Sequence, residues 1–304
     1  VSIDQRAGSV LDQDRHVMRN ESDAKFQRDR CERIARGGRR RANRQDGCRM
    51  TRRPEEIALM AESGKLLAEV FGHLDQLNLI GMSTMQINDL VDSLIVNDLN
   101  ARPASKGQYD YAYALNSSRN SVVCHGVPSS TEVLQSGDIV NFDITLEKNG
   151  YIADSSKTYL VGEVSPLAKR LVQVTYEAMW NGIKAVRPGA RLGDIGHAIE
   201  RHARRNGYTV VREYCGHGIG REMHEEPQVL HWGQPRTGLL LREGMVFTIE
   251  PMLNQGRHTV RTEEDGWTVV TCDGQLSAQF EHTVAVTQNG VRVLTLRPEE
   301  KTLN

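Results

Sequence analysis

After residue 49 the apolar and polar positions fall into two similar halves. From Pro54, apolar residues recur three and four apart, at Ile57, Met60, Ala61, Gly64, Leu67, Ala68, Phe71 and Leu74, which is the period of a helix with one buried face. Pro54 suits a first helical turn, where its missing N–H loses no intrahelical partner. Ser83 with Gln86 makes a capping-box pair ahead of a second helix, whose apolar positions are Ile87, Leu90, Val91, Leu94 and Ile95. Strand-like runs follow at residues 121–124 and 138–144. The order then repeats. Ser165-Pro166 opens a third helix carrying Leu171, Val172, Ala178, Met179, Ile183 and Val186. After the Pro188-Gly189 break comes a fourth helix, with Ile195, Ile199 and Ala203, that stops near Asn206-Gly207, and strands resume at residues 208–211.

The halves superpose as text. Gly81 and Ile87 match Gly189 and Ile195 at an offset of 108, and residues 137–143 match 244–250 at an offset of 107. This predicts an internal duplication of two helices followed by antiparallel strands, an α+β fold with a pseudo-twofold axis. Asp143 and Glu250 take equivalent places, so the axis would bring a carboxylate from each half toward one centre.

Residues 143–154 read as a hairpin turning at Asn149-Gly150. If Glu147 lies opposite Gly150, Asp143 faces Asp154 with Cβ atoms about 5 Å apart. Two such carboxylates repel unless a cation or a shared proton lies between them. An isolated pair is more simply two solvated aspartates. This pair has company, however, because Glu250 ends an apolar strand and Glu281 sits inside another, at residues 279–286. An acid embedded in an apolar strand is costly without a partner. His217, between Gly216 and Gly218, adds an imidazole whose small neighbours permit close approach. Four carboxylates and one imidazole form a hard, oxygen-rich donor set with room for two divalent cations.

Other chemistries are excluded by pattern. No helix follows the glycines of residues 216–220, so they are not a dinucleotide fingerprint. His224-Glu225-Glu226 is not H-E-x-x-H, and no phosphate-binding loop is present.

Composition refines this picture. The 304 residues are 38% hydrophobic and 25% charged, as in a globular protein. Residues 1–49 carry 13 Lys plus Arg against 8 Asp plus Glu, a net of +5, which leaves −6 of the overall −1 for residues 50–304. A mildly acidic body argues against nucleic acid as its main ligand. The first 49 residues are too poor in apolar groups to offset the cost of ordering, so they are expected to be disordered, with residues 50–304 forming the folded domain. Three readings of the Arg-rich stretch stand: a passive tail, a basic arm touching RNA at the ribosome, or sequence upstream of a start at Met50. Five scattered cysteines without a C-x-x-C pair, no apolar run of membrane length and no signal-peptide core together predict a cytoplasmic protein.

The motifs Val123-Cys124-His125-Gly126, Asn141-Phe142-Asp143, Cys215-Gly216-His217-Gly218, His224-Glu225-Glu226-Pro227, Ile249-Glu250-Pro251-Met252, Asp265-Gly266-Trp267 and Gln279-Phe280-Glu281-His282 resemble those of type I methionine aminopeptidases of the bacterial kind, from about Pro54 to Leu296. The resemblance implies the pita-bread fold and two divalent ions, drawn from Co, Mn, Fe(II), Zn or Ni. It implies that Asp154 and Glu281 bridge both ions, that Asp143 ligates one, and that His217 and Glu250 complete the other. Glu250 would also be the base, His224 would stabilise the tetrahedral intermediate, and His125 would contact the scissile amide or the transferred proton. A lone histidine is more often structural, but these two sit inside the motifs. Tyr111, Asn116, Met223 and Trp267 would line the methionine pocket beside His125 and His224. The implied partners are nascent polypeptides beginning with Met and a transient contact with the ribosome, and the implied state is a monomer. Ser105, Gln108, Asn116 and Met223 depart from the usual pocket pattern, which leaves either neutral drift or an altered pocket preference.

Two other readings compete. A proline-directed relative, aminopeptidase P or prolidase, shares the five ligands but carries a folded domain ahead of the catalytic one. A non-catalytic binding protein on this fold would have lost ligands, and all five are present. Only 30 residues separate Glu250 from Glu281, too few for a type II helical insertion.

Overall fold

Helix α1 (Pro54–Leu74) starts at the predicted proline and buries the predicted stripe, with Met60, Gly64, Leu67, Phe71 and Leu74 inside. In the computed structural model, residues 50–302 are described; the expectations for the Arg-rich arm lie outside the described residues. Helix α2 (Thr84–Ser93) is closed by the Ser83–Gln86 capping box, and its last turn widens into a π-turn over Leu94–Asp98. Helix α3 (Pro166–Lys184) is capped by the Ser165 hydroxyl, which accepts from the Ala168 N–H at 3.1 Å. Helix α4 (Leu192–Arg205) ends at Gly207, whose φ of +82° suits glycine.

The first half supplies strands β1 (Arg102–Pro103), β2 (Leu115–Arg119), β3 (Val122–Cys124), β4 (Ile139–Lys148) and β5 (Tyr151–Leu160). The second begins with β6 (Thr209–Val210), β7 (Gly216–Gly218), β8 (Glu225–Val229), β9 (Val246–Ile249) and β10 (Met252–Asn254). It continues with β11 (Val260–Thr262), β12 (Val269–Thr271), β13 (Ser277–Gln279), β14 (Glu281–Thr287) and β15 (Gly290–Val293).

The main sheet runs β1-β4-β5-β14-β9-β7-β8, with β2 beside β4 and β15 beside β14. Its centre, β4-β5-β14-β9, maps onto itself when the halves are exchanged, because β5 and β14 pair antiparallel across the middle. The expected duplication is therefore visible in the topology. Each half also has its own core. Phe71, Ile87, Val91, Phe142 and Ile144 pack together in the first, and Leu171, Met179, Ile199, Phe247 and Ile249 in the second. Full burial of one such side chain contributes about 1.5–3 kcal/mol.

Two expectations need correction. Asn149 and Gly150 both have positive φ, +55° and +76°, so they form a two-residue turn with Lys148 opposite Tyr151. Asp143 consequently lies opposite Ser156 and Asp154 opposite Thr145, so the two aspartates are diagonal neighbours on one face instead of direct partners. The run over residues 279–286 is not one strand. It divides at Phe280, because β13 pairs with β10 in a small second sheet while β14 joins the main one.

Candidate metal centre

The central strands carry the acids. Asp143 comes from β4, Asp154 from β5, Glu281 from the first position of β14, and Glu250 from the residue after β9. His217 is the middle residue of β7, which pairs with β9. A Cβ on Gly216 would stand 2.4 Å from the Thr248 carbonyl oxygen, and one on Gly218 would stand 2.1 Å from that of Glu226. The bracketing glycines thus let neighbouring chain close around the histidine; they do not open room for a ligand.

One oxygen or nitrogen from each of Asp154, His217 and Glu281 lies within 4.8 Å of the others. His217 Nε2 is 3.7 Å from Asp154 Oδ2 and 3.5 Å from Glu250 Oε1. His217 Nδ1 is 3.0 Å from the Gly218 carbonyl oxygen. A carbonyl only accepts, so Nδ1 carries the hydrogen and the Nε2 lone pair faces the carboxylates. Burial pushes the imidazole down to about 4, outweighing its backbone hydrogen bonds to Gly218 and Met223, and keeps it neutral near pH 7.

Burial pushes Asp143 up to about 6, against hydrogen bonds from Asp154 and Asn116. Asp154 and Glu281 are raised well above the carboxylate range, by burial first and then by neighbouring acids. Asp154 Oδ1 and Glu281 Oε1 are buried and find no hydrogen-bond partner among the described residues. Lone pairs converging from acids and a neutral imidazole, with buried oxygens unsatisfied, call for positive charge between them. The donor set fits a divalent cation.

The eleven residues given site roles from the sequence all line one cleft: His125, Asp143, Asp154, His217, His224, Glu250, Glu281, Tyr111, Asn116, Met223 and Trp267; the pocket positions Ser105 and Gln108 line it too. The Tyr111 and Trp267 rings lie 4.9 Å apart and form an aromatic wall, with buried Met223 also lining the cleft. Asn116 donates to Asp143 Oδ2 at 3.4 Å, so it serves the acid cluster as well as the wall. His125 has a φ of +55° and meets Tyr214 edge to face, and burial lowers its imidazole to about 4. The His224 ring is 4.5 Å from that of His217.

Sequence reading missed three supporting groups. The Thr248 hydroxyl donates to Glu250 Oε1 at 2.7 Å and accepts from the His217 N–H at 3.0 Å. Gln279 reaches Glu250 Oε2 at 3.5 Å. Buried His231 accepts from the Glu250 N–H at 3.1 Å. Thr248 was findable, since it stands two residues before Glu250 and shares its face of a strand. His231 gives no local signal.

The sequence profile of the family described as Metallopeptidase family M24 matches residues 58–288. A protein of Salmonella typhimurium called Methionine aminopeptidase is 47% identical over 246 residues, covering 81% of this chain and 93% of that one. The crystal structure of methionine aminopeptidase from Rickettsia prowazekii superposes with a TM-score of 0.79 at 45% identity, over 81% of this chain and 99% of that chain. Prolidase from Pyrococcus furiosus superposes at 0.64 over 83% of this chain and 66% of that chain; at 21% identity this likeness concerns the fold alone.

Proposed function

The chain belongs to metallopeptidase family M24, among the methionine aminopeptidases with their pita-bread fold, and from this premise we propose how its residues remove an N-terminal methionine. The observation that carries the reading is the convergence of Asp143, Asp154, His217, Glu250 and Glu281, drawn from both halves, at the floor of an aromatic-walled cleft. Asp143, Asp154, His217, Glu250 and Glu281 would hold the divalent ions, which would lower the pKa of a bound water and polarise a peptide carbonyl.

The protein's own groups do the rest. Glu250, oriented by Thr248, takes a proton from the attacking water. His224 donates to the oxygen that gains charge as the carbonyl becomes tetrahedral. His125, kept neutral by burial, hydrogen-bonds the scissile amide. The methionine side chain packs between Tyr111, Trp267 and Met223, and its amino group lies near Asp143 and Asn116. The substrates are nascent polypeptides with a small second residue, met in the cytoplasm by a monomer in passing contact with the ribosome. Co, Mn, Fe(II), Zn and Ni all suit the donors.

The test is turnover of Met-Ala and Xaa-Pro peptides side by side, with each ion and with chelator. Met-Ala cleavage that stops with chelator and returns with a divalent ion is expected. Turnover that persists once metal content is verified as zero, or cleavage confined to Xaa-Pro, rejects the reading.

A further inference from the structure

His224 is exposed, so burial does not hold it in place. It sits with Met223 at the tip of residues 220–225, and the fastening of this loop is traceable. Glu225 Oε1 accepts from the backbone N–H groups of Arg221 and Glu222, at 3.2 and 3.3 Å, and so closes the loop on itself. Its other oxygen, Oε2, pairs with the Arg52 guanidinium. The two side chains are only 14% and 20% exposed, so this is not an ordinary solvated surface pair.

Arg52 is itself anchored. Thr51 bridges to Met245, and the Arg52 N–H donates to the Gly244 carbonyl at 2.7 Å. That segment leads directly into β9 and Glu250. The Nε–Nη2 edge of the guanidinium abuts Gly220, where a Cβ would stand 2.3 Å from Nη2. On the far side, Arg221 donates to the Tyr151 hydroxyl at 3.0 Å with its guanidinium 4.4 Å from the ring centre.

We propose that Arg52 is a positioning residue: through Glu225 it fixes the 220–225 loop, and with it the placement of His224 and Met223 over His217, relative to the strand that leads to Glu250. The catalytic consequence rests on the role given above to His224. A misplacement of about 1 Å in such a group can cost about 10²-fold in rate. Arg52 acts at a distance from the reacting atoms, so its loss removes transition-state stabilisation without removing a metal ligand.

The experiment uses the full chain in six forms: wild type, Arg52→Met, Arg52→Lys, Gly220→Ala, His224→Ala and the double variant His224→Ala/Arg52→Met. Amide hydrogen exchange over residues 221–225 and steady-state turnover of a Met-Ala peptide are measured on each. Arg52→Met should lose protection in that loop, and kcat and kcat/KM should fall together by about tenfold or more. Arg52→Lys should recover part of both, since it keeps the charge without the planar fork. On a His224→Ala background, Arg52→Met should cause no further fall in kcat. If Arg52→Met does not fold, Gly220→Ala displaces the guanidinium with one methyl and is read in the same way. Unchanged protection, or an equal loss of rate with and without His224, overturns the proposal. A wild-type protein that leaves Met-Ala intact rejects the functional reading instead, while the exchange data still decide whether Arg52 fixes the loop.

Discussion

Asp143 and Asp154 stand diagonally across the β4–β5 hairpin, each opposite a hydroxyl residue, Ser156 and Thr145 respectively. The diagonal keeps both carboxylates on one face while leaving space between them, which direct opposition would have closed. Without a cation, burial and neighbouring acids hold Asp154 far above the ordinary carboxylate range, so the site is poorly built for its own stability. Asp154→Asn should therefore raise the Tm of the metal-free protein by about 2 °C or more. The same substitution should abolish the Tm increase caused by divalent ions and cut peptide turnover by more than about 10²-fold. Calorimetry with and without metal checks this. A lower metal-free Tm would contradict the strain argument.

Thr248 touches both Glu250 and His217, so it sets their relative placement. Thr248→Val keeps the shape but removes the hydroxyl that donates to Glu250 Oε1 and accepts from the His217 N–H. A hydrogen bond to a charged group contributes about 1.5–3 kcal/mol. The expected result is a fall in kcat of about tenfold or more, with recovery in Thr248→Ser. Steady-state kinetics on both variants decides it, and equal rates in Thr248→Val and wild type would remove Thr248 from the orienting role.

Much of this was legible in the chain, for definable reasons. Periodicity located four helices because each buries one stripe, as Leu67, Phe71 and Leu74 do in α1. The 107-residue offset located the pseudo-twofold partnership of Asp143 and Glu250 because duplicated strands keep their pattern. The hairpin register was legible as well, because Asn-Gly favours a two-residue turn that sets Lys148 opposite Tyr151 and Asp143 opposite Ser156; the expected pairing of Glu147 with Gly150 centred that turn one residue too early. The break at Phe280 was hidden, because an apolar run looks the same whether its strands share one sheet or join two. His231 and Arg52 reach the site through tertiary contacts with no fixed spacing, so no local pattern announces them.

The glycines beside His217 yield a steric prediction. A methyl at Gly216 would meet the Thr248 carbonyl at 2.4 Å, a backbone atom that cannot swing aside. Gly216→Ala should force β7 away from β9, widening the gap between His217 and Glu250. Overpacking of this kind costs about 1–3 kcal/mol. Both the Tm and the affinity for the activating ion should drop, the latter measurable by titration calorimetry. An unchanged ion affinity would show that the strands tolerate the methyl.

Behind the metal centre, the chain's last described turn (Pro298–Thr302) makes a second buried polar group that can be tested by pH. Arg297, 1% exposed, donates to Ser155 Oγ at 3.0 Å and to Glu300 Oε1 at 2.9 Å, while His282 Nε2 lies 3.1 Å from Glu300. Ser155 in turn donates to the Glu281 carbonyl at 2.7 Å, so this cluster backs the β5–β14 seam from which Asp154 and Glu281 project. Burial alone would raise Glu300, but His282 and Arg297 hold it down to about 2. Its folded value thus lies below the 4.5 of an ordinary glutamate. As pH falls, the unfolded chain takes up this proton first, so the stabilisation is complete above about 4.5 and is lost progressively toward about 2. Breaking a buried pair costs about 3 kcal/mol. Glu300→Gln should therefore be less stable than wild type by about that amount at pH 7 in denaturant unfolding, and the gap should narrow only below about pH 4.5. A gap that stays constant down to pH 3 would mean that shape, and not the charge of Glu300, supports the seam.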